Sequence, residues 1–403
     1  MLRNEKLILS FIIIFISLPF SYLHKNDFKL EVNYAWSNYL TNRYSNIHSC
    51  KRPIGTRYDY LKGKYTYLIS INLYNNQEIL PAMMHNVIKL VDQYFMNKIH
   101  LRIFESGSSD KTKKMLRDFH LLLEPRNITY EIETSPISKS DRDMNRIDYL
   151  VFMRNYALQP LLKNRIKADF VLFLNDVLYC FDDVLELLHQ QINNGAYLVS
   201  GMDYMWTPWR RLLFYDSWVT QDIDGIHPNA HQVNLGEAIT NLDDKRRAES
   251  LLPVQMLCLW NGMVSINATI FDNIEFRRGL NGKKGDTTAG ECSASEITSL
   301  CLDLIKHGYG KILMVPQVKV AYNYESFNMM KFEENDFTKK YKLLNPHHPN
   351  EDKPIKWKPL PLEQDCWPYY TGDRGRDKVA KGDYLEKLPF ILDEPESDKR
   401  YID

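Results

Sequence analysis

The chain has no surplus of either charge: Lys and Arg total 51, Asp and Glu total 51, in 403 residues. With no basic stretch interleaved with aromatics, that balance argues against a nucleic-acid partner. Cysteine is scarce, six in all (Cys50, Cys180, Cys258, Cys292, Cys301, Cys366), and no two are spaced as CxxC. A zinc site built on such pairs is therefore not expected. Also missing are a GxGxxG fingerprint, a P-loop GKS/T ending, a GxSxG elbow, HExxH and the protein-kinase signature set. There is no internal repeat, and no A-x-A cleavage site follows the apolar run near the N-terminus.

That run, LILSFIIIFISLPFSYL at 7–23, carries no charge and follows Arg3, Glu5 and Lys6. It reads as an uncleaved signal anchor behind a cytoplasmic tail at 1–6, with a cleaved signal or a buried segment as alternatives. A span this short suits the thinner early secretory membranes, and the rest of the chain is then expected to be lumenal. The sequons Asn127-Ile128-Thr129 and Asn267-Ala268-Thr269 agree with that address. So do cysteines that could pair in an oxidising lumen, although spacing does not say how.

With 44% apolar and 12% aromatic residues the chain can bury a substantial core. Residues 24–64 are polar and read as a lumenal stem with an entry helix. From 65 to 330 strands and helices alternate. Strands are expected at 65–74, 100–106, 128–134, 169–176, 196–204 and 312–324, with helices at 78–95, 109–123, 146–162, 182–191 and 295–307. Residues 256–271 read as a strand pair, and 205–255 as a long mixed segment. Strand–helix alternation implies an α/β fold, with parallel βαβ units and helices on both sheet faces. Residues 331–403, rich in Pro, Lys and Asp, are expected as an irregular extension packed on that domain.

The segment DFVLFLNDVLYC, 169–180, is the most informative. An apolar strand ending in Asn175-Asp176 puts a carboxylate where open α/β sheets bind ligands and where a divalent cation could neutralise a diphosphate. The alternative is that Asp176 opens a turn. In ESGSSDKT, 105–112, Gly107 lets backbone amides face a polar ligand and Glu105 could accept hydrogen bonds from a base or ribose. Otherwise Ser109 or Asp110 caps an ordinary strand–helix turn. Asn72, Asn75 and Asn76 could read a nucleobase or simply form a turn. Arg154 could offer a cation to a diphosphate or lie on a solvated helix face.

The segment 202–225 carries Asp203, Asp216, Asp222, Asp224 and three tryptophans, a mixture suited to sugars or to core and loop. Trp260 and Asn261 precede Gly262, which could turn a hairpin. Glu291 falls in a loop, and Glu296 near a helix start, where the dipole alone would favour it.

In order along the chain, LYNNQEILP (73–81), FESGSSDKT (104–112), RNYALQPL (154–161), FLNDVLYCFDDVLELLHQ (173–190), SGMDY (200–204), FYDSWVTQDIDG (214–225), LWNGMVSINATIF (259–271) and the block 291–323 resemble the fungal α-1,3-mannosyltransferase family typified by the cryptococcal capsule-associated mannosyltransferases. The resemblance implies a glycosyltransferase A-type fold, a mixed, mostly parallel sheet flanked by helices. It also implies a Golgi type II membrane enzyme that uses GDP-mannose and retains the α configuration on a mannose-containing glycan acceptor. Asn175-Asp176-Val177 would stand for the DxD motif of that fold, with Asp176 as ligand to Mn²⁺ or Mg²⁺. Donor binding would fall to Asn75, Asn76, Glu105, Gly107, Arg154, Asn175 and Asp176. Acceptor binding would fall to Trp260 and Asn261, and catalysis to Glu291 and Glu296 on the acceptor side with Asp203 and Asp222 on the donor side. A non-catalytic part in polysaccharide assembly or export, or a transferase for another nucleotide sugar, are the competing readings.

Overall fold

Seven of the ten strands in the main sheet run one way, and the order in which they lie explains where the ligand site falls. The computed structural model describes residues 55–135, 146–207, 212–228, 238–279, 295–330, 352–361, 363–366 and 386–389. The anchor expected at 7–23 lies outside the described residues, all of which belong to one compact unit, Cys50–Asp403. Among the described residues no helix is long and apolar enough to cross a membrane.

The first half alternates as expected: β1 Tyr67–Leu73, α1 Leu80–Leu90, β2 Ile99–Glu105, α2 Thr112–Leu123, β3 Thr129–Thr134, α3 Arg146–Leu162, β4 Phe170–Leu174 and α4 Phe181–Asn194. The sequence places one helix over 78–95; here α1 gives way to a wider π turn at Val91–Phe95, after which Met96 turns back with φ +52°. The second half comprises β5 Leu198–Trp206, β6 Leu212–Phe214, β7 Gln221–Asp222, α5 Leu242–Glu249, β8 Val254–Cys258, β9 Met263–Asn267, α6 Glu296–Lys306 and β10 Ile312–Ala321. A separate ribbon pairs β11 Glu363–Cys366 with β12 Glu386–Pro389.

The main sheet has the order β3-β2-β1-β4-β9-β5-β10-β8-β7, with β6 on the edge of β5. The neighbours from β3 to β4 are all parallel, β5 is parallel to β10, and β6, β8 and β9 run against the rest. Helices cover both faces: α1 touches α2 and α4, while α3 packs with α6 across the other face. Strands β2, β4 and β8 are buried at every residue; β4 is accordingly a continuous apolar run, while β2 also buries His100, Arg102 and Glu105 and β8 buries Gln255.

One local expectation is overturned. Residues 256–271 do contain two strands, but β8 pairs with β10 and β7, whereas β9 inserts between β4 and β5. Trp260-Asn261-Gly262 is therefore a crossing between two places in the sheet, not a hairpin turn. The reason is that β9 is the strand that joins the two parallel blocks, hydrogen-bonding to both β4 and β5.

Pro316 cannot donate to a ladder, and the β5–β10 register slips between Met314 and Lys319 around it. The slip presses Val318 onto Gly201, where an added Cβ would lie 2.7 Å from a Val318 methyl. Beyond it the ladder resumes with Val320 opposite Asp203. The chain on either side of the alternating region also packs on α4. Tyr58 and Leu61 are fully buried, and the buried Glu186 takes hydrogen bonds from the Tyr58 hydroxyl and the Arg57 guanidinium. From the C-terminal side, the Ile355 N–H reaches Asn194 at 2.8 Å, and Lys358 Nζ reaches Asp244 at 2.6 Å. Buried Cys258 and Cys301 form a disulfide joining the end of β8 to α6, and Cys180 is disulfide-bonded too.

Gly262 has φ +68°, and a Cβ there would meet Val320 at 2.8 Å and Val177 at 3.0 Å. Gly262→Ala is expected to cost about 2 kcal/mol in urea unfolding, from combined backbone strain and overpacking. A change below about 0.5 kcal/mol would refute this close approach.

Candidate active site

The strand order changes direction between β1 and β4: from β1 the chain builds outward through β2 to β3, and β4 starts the other side. Ligands of open α/β sheets bind outside the carboxyl ends of the strands at such a point. Asn72, Asn75 and Asn76 lie at or just past the end of β1, Glu105 at the end of β2 and Asn175-Asp176 at the end of β4. The structure thus gathers the expected donor-side residues along one sheet edge.

The loops after β1 and β2 are knitted together. The Asn75 N–H donates to Ser108 Oγ at 2.8 Å, and Asn75 Oδ1 accepts the Ser109 N–H at 2.9 Å, with Asn75 itself at φ +55°. The Asn76 N–H donates to Thr112 Oγ1 at 2.9 Å, while Asn76 Oδ1 accepts the Tyr74 N–H at 2.6 Å. Gly107, at φ +82°, supplies the left-handed turn. Fully buried Glu105 accepts the Ser108 N–H with Oε1. Its Oε2 has no hydrogen-bond partner, with the Lys113 ammonium 4.0 Å away. At the end of β1, Asn72 Oδ1 is likewise buried and unmatched. Both are acceptors without a hydrogen bond, an arrangement that suits a ligand bringing N–H or O–H groups.

Asp176 is half-buried on a turn tied down on two sides. The Asn175 N–H donates to the Gly262 carbonyl at 3.1 Å, and Leu178 forms an isolated bridge with Ala321 at the end of β10. Among the described residues no group of three or more His, Cys, Asp or Glu side chains could enclose a metal. One strand-end carboxylate fits a cation held mostly by phosphate oxygens and water, the usual arrangement for Mg²⁺ with nucleotides.

Beside the Asp176 turn lies a carboxyl pair, Asp203 fully buried and Asp216 half-buried. Asp203 is fully buried, and its Oδ1 accepts the Asp216 N–H and Asn261 Nδ2, each at 3.1 Å, while Oδ2 accepts the Tyr322 hydroxyl at 3.0 Å. Burial pushes the Asp203 carboxyl up against these three donors. Asp216 is pushed up further, by burial and then by the charge of Asp203, with Arg146 and Arg154 opposing and Glu296 adding. The pair is joined to the Asp176 turn through the crossing before β9: Asn261 Nδ2 donates to Asp203 and to the Asp216 carbonyl, and the next residue, Gly262, accepts the Asn175 N–H.

Arg154 is neither a free cation nor on a solvated face. It is 8% exposed, its Nε donates to Glu296 Oε1 at 3.0 Å, and its guanidinium lies 4.2 Å from the Trp260 ring centre. Burial lowers the guanidinium pKa, and the carboxylates of Glu296 and Asp216 offset this. Glu296 opens α6, with Ser295 as N-cap accepting the Thr298 N–H at 3.1 Å. Trp260 offers no face for a sugar: it is 2% exposed, under Arg154 and among Phe173 and Phe276. Asn261 is fully buried and acts through Asp203 and Asp216. Asp222 is removed from the cluster chemically, because its carboxylate accepts the N–H groups of Asp224, Ile226 and Thr240 and the Thr240 hydroxyl, organising its own turn. Glu291 lies outside the described residues. Asp216 and Tyr322 join the site unforeseen. In sequence Asp216 is one of four acids in a loop segment, and only the fold separates it from Asp222.

Residues 66–303 match the family model described as Cryptococcal mannosyltransferase 1. The chain belongs to this family. Among curated proteins, Alpha-1,3-mannosyltransferase CMT1 of Cryptococcus neoformans var. neoformans serotype D is 31% identical over 275 residues, covering 64% of this chain and 57% of that protein. The match thus spans little more than half the length of the relative. Among solved structures, mannosyltransferase PcManGT from Pyrobaculum calidifontis, in complex with GDP-Man and Mn²⁺, aligns at TM-score 0.37 and 11% identity, over 81% of this chain and 77% of that one. GalNAc-T7 with UDP, GalNAc and Mn²⁺ aligns at TM-score 0.39 and 13% identity, over 64% and 43%.

Two outcomes follow from this electrostatic layout. Removing Glu296 strands a buried guanidinium, so Glu296→Ala should lose about 3 kcal/mol in denaturant unfolding; a loss under about 1 kcal/mol would mean that the pair is not buried as described. The folded Asp203–Asp216 pair binds protons more tightly than the unfolded chain, whose carboxyls titrate near 3.8. Stability from this source is therefore fully present below that pH and is lost as pH rises through the folded pair's range. Asp216→Asn should flatten the decline, read as unfolding free energy between about pH 4 and pH 8; an unchanged slope would contradict it.

Proposed function

We propose that this protein is a retaining glycosyltransferase of glycosyltransferase A type that moves mannose from GDP-mannose to a hydroxyl of a mannose-containing glycan, forming an α-1,3 linkage. The observation that carries the proposal is Asp176, at the carboxyl end of β4 and beside the change in strand direction, in a chain of this family. That is where a nucleoside diphosphate belongs in such a sheet.

In this reading the guanine and ribose lie over the β1 and β2 ends. The unmatched oxygens of Glu105 and Asn72 accept hydrogen bonds there, and the Asn75–Ser108 lattice keeps the two loops in register. Asp176 holds the diphosphate end through a divalent cation, Mn²⁺ or Mg²⁺. When bound, that ion supplies positive charge to offset the charge of the departing phosphate. Arg154 and Arg146 add positive potential behind the same space, which favours the leaving group more as its bond to C1 lengthens. Glu296 keeps Arg154 in place. The acceptor approaches from the side of α6, and Glu291 remains the sequence candidate on that side. The apolar run at 7–23 would serve as the membrane anchor of a type II Golgi protein, with this domain in the lumen.

The test is a donor panel on the full chain: radiolabelled GDP-mannose and other sugar nucleotides with α-mannobiose, with and without Mn²⁺, beside Asp176→Ala. Transfer from GDP-mannose, stimulated by the metal and reduced about 10²-fold or more in the variant, is the expected result. Transfer from a different donor alone would overturn the choice of mannose. Folded protein that neither transfers nor hydrolyses any donor would favour a non-catalytic role in glycan assembly.

A further inference from the structure

Asp216 is the one member of the cluster whose backbone is fully committed while its side chain is not. Its N–H donates to Asp203 Oδ1 at 3.1 Å, and its carbonyl accepts Asn261 Nδ2 at 3.1 Å and Thr220 Oγ1 at 3.0 Å. These anchors come from β5, from the crossing before β9 and from the turn before β7. Asn261 is itself fixed by its own N–H, which donates to Ser200 Oγ at 2.9 Å. No described residue donates a hydrogen bond to the Asp216 carboxyl, which is half-buried, and the Asn261-Gly262 crossing that binds the Asp216 carbonyl also accepts the Asn175 N–H beside Asp176. Next to it, Asn261 Oδ1 is buried without a partner, on the same amide whose nitrogen bridges Asp203 and the Asp216 carbonyl.

An acceptor oxygen left unmatched in a buried polar cluster costs stability. A carboxyl forced next to another carboxyl costs more, and Arg146 and Arg154 offset only part of it. Arg146 and Arg154 on α3 face the Asp216 carboxyl from one side, Asp203 on β5 and Glu296 on α6 from others. Tyr322, after β10, is already engaged with Asp203. The surroundings hold the carboxyl in place without consuming it. Polar groups kept rigid and unsatisfied in this way are what a hydroxyl-rich ligand requires.

We propose that Asp216 is a catalytic residue that touches the sugar being transferred, accepting a hydrogen bond from one of its hydroxyls, with Asp203 and Asn261 as positioning residues. This rests on the nucleotide-sugar reading above. A sugar esterified to a diphosphate at Asp176 must lie on the far side of that phosphate, and the Asn261-Gly262 crossing holds the Asp203–Asp216 pair beside the Asp176 turn, bonding the pair through Asn261 and the Asn175 N–H through the Gly262 carbonyl. As the bond to the diphosphate lengthens, the sugar ring flattens and its hydroxyls become more acidic, so a hydrogen bond accepted by the Asp216 carboxyl strengthens in that state. No bond to Asp216 is formed or broken.

The experiment compares GDP and GDP-mannose binding by calorimetry, with thermal unfolding, for the full wild-type chain, Asp216→Ala and Asp216→Asn. Transfer to α-mannobiose is followed in parallel. The expected result is unchanged GDP affinity in both variants. Asp216→Ala should weaken GDP-mannose binding about tenfold, the size of a lost hydrogen bond. Transfer should fall about 10²-fold, and neither variant should have a lower Tm than wild type, since the carboxyl opposes folding. Equal loss of GDP and GDP-mannose affinity, or a lowered Tm with matching loss of both, would overturn the proposal in favour of a diphosphate or scaffold role. GDP-mannose affinity and transfer both within about threefold of wild type would overturn it as well. Binding of neither nucleotide by the wild-type chain would instead be the failure of the donor reading, and the proposal would fall with it.

Discussion

The buried carboxylate of Asp203 is the interaction on which this site depends. It sits inside the sheet with three donors around it, contributed by the Asp216 N–H, the Asn261 amide and the Tyr322 hydroxyl. Each donor comes from a different stretch of chain, so one charge fixes the relative positions of β5, the crossing before β9 and the exit from β10. Two packing features bring these stretches close enough. Gly262 lets the crossing pass between Val177, Val320 and Asp203, and the slip at Pro316 lays Val318 over Gly201. A buried charge is expensive unless it is hydrogen-bonded. Here satisfying it defines the floor of the cleft.

The same arrangement sets the electrostatics of the cleft. Asp203, Glu296, Arg146 and Arg154 all act electrostatically on the Asp216 carboxyl, and Asp176 stands at the end of β4 beside them through Gly262. Glu296 and Arg154 largely satisfy each other under cover of Trp260 and Phe276. Asp203 is satisfied by neutral donors. Asp176 stands at the strand end, and the half-buried Asp216 carboxyl takes no hydrogen bond from any described residue. For a nucleotide-sugar donor that division places a cation-binding carboxylate at the diphosphate and a second carboxylate beside the sugar.

Much of this was legible before the fold was known, because strand-end chemistry is local. The apolar run 170–174 followed by Asn175-Asp176 marks β4 and its ligand edge, and Gly107 behind Glu105 marks the β2 turn. Helix and strand alternation through residue 194 follows from short-range patterning alone. The second half was harder to read. Whether β8 and β9 pair with one another depends on which parallel block needs a neighbour, which is a property of the whole sheet. The choice between Asp216 and Asp222 was equally hidden. Both are acids near aromatics in sequence, yet Asp222 is filled by its own turn while Asp216 keeps its carboxyl open. Trp260 misled for a related reason: an aromatic beside a glycine suggests an exposed stacking face, but the crossing buries it under Arg154.

The central claim is that Asp176 and the Asp203–Asp216 pair border a single donor site. It is tested most directly by a crystal structure of the full chain with GDP and Mn²⁺, with the metal located by anomalous scattering. The account predicts one metal peak in coordination distance of an Asp176 carboxylate oxygen and the diphosphate, with the base over the β1 and β2 ends. A metal bound away from Asp176, or a nucleotide seated elsewhere on the sheet, would contradict it.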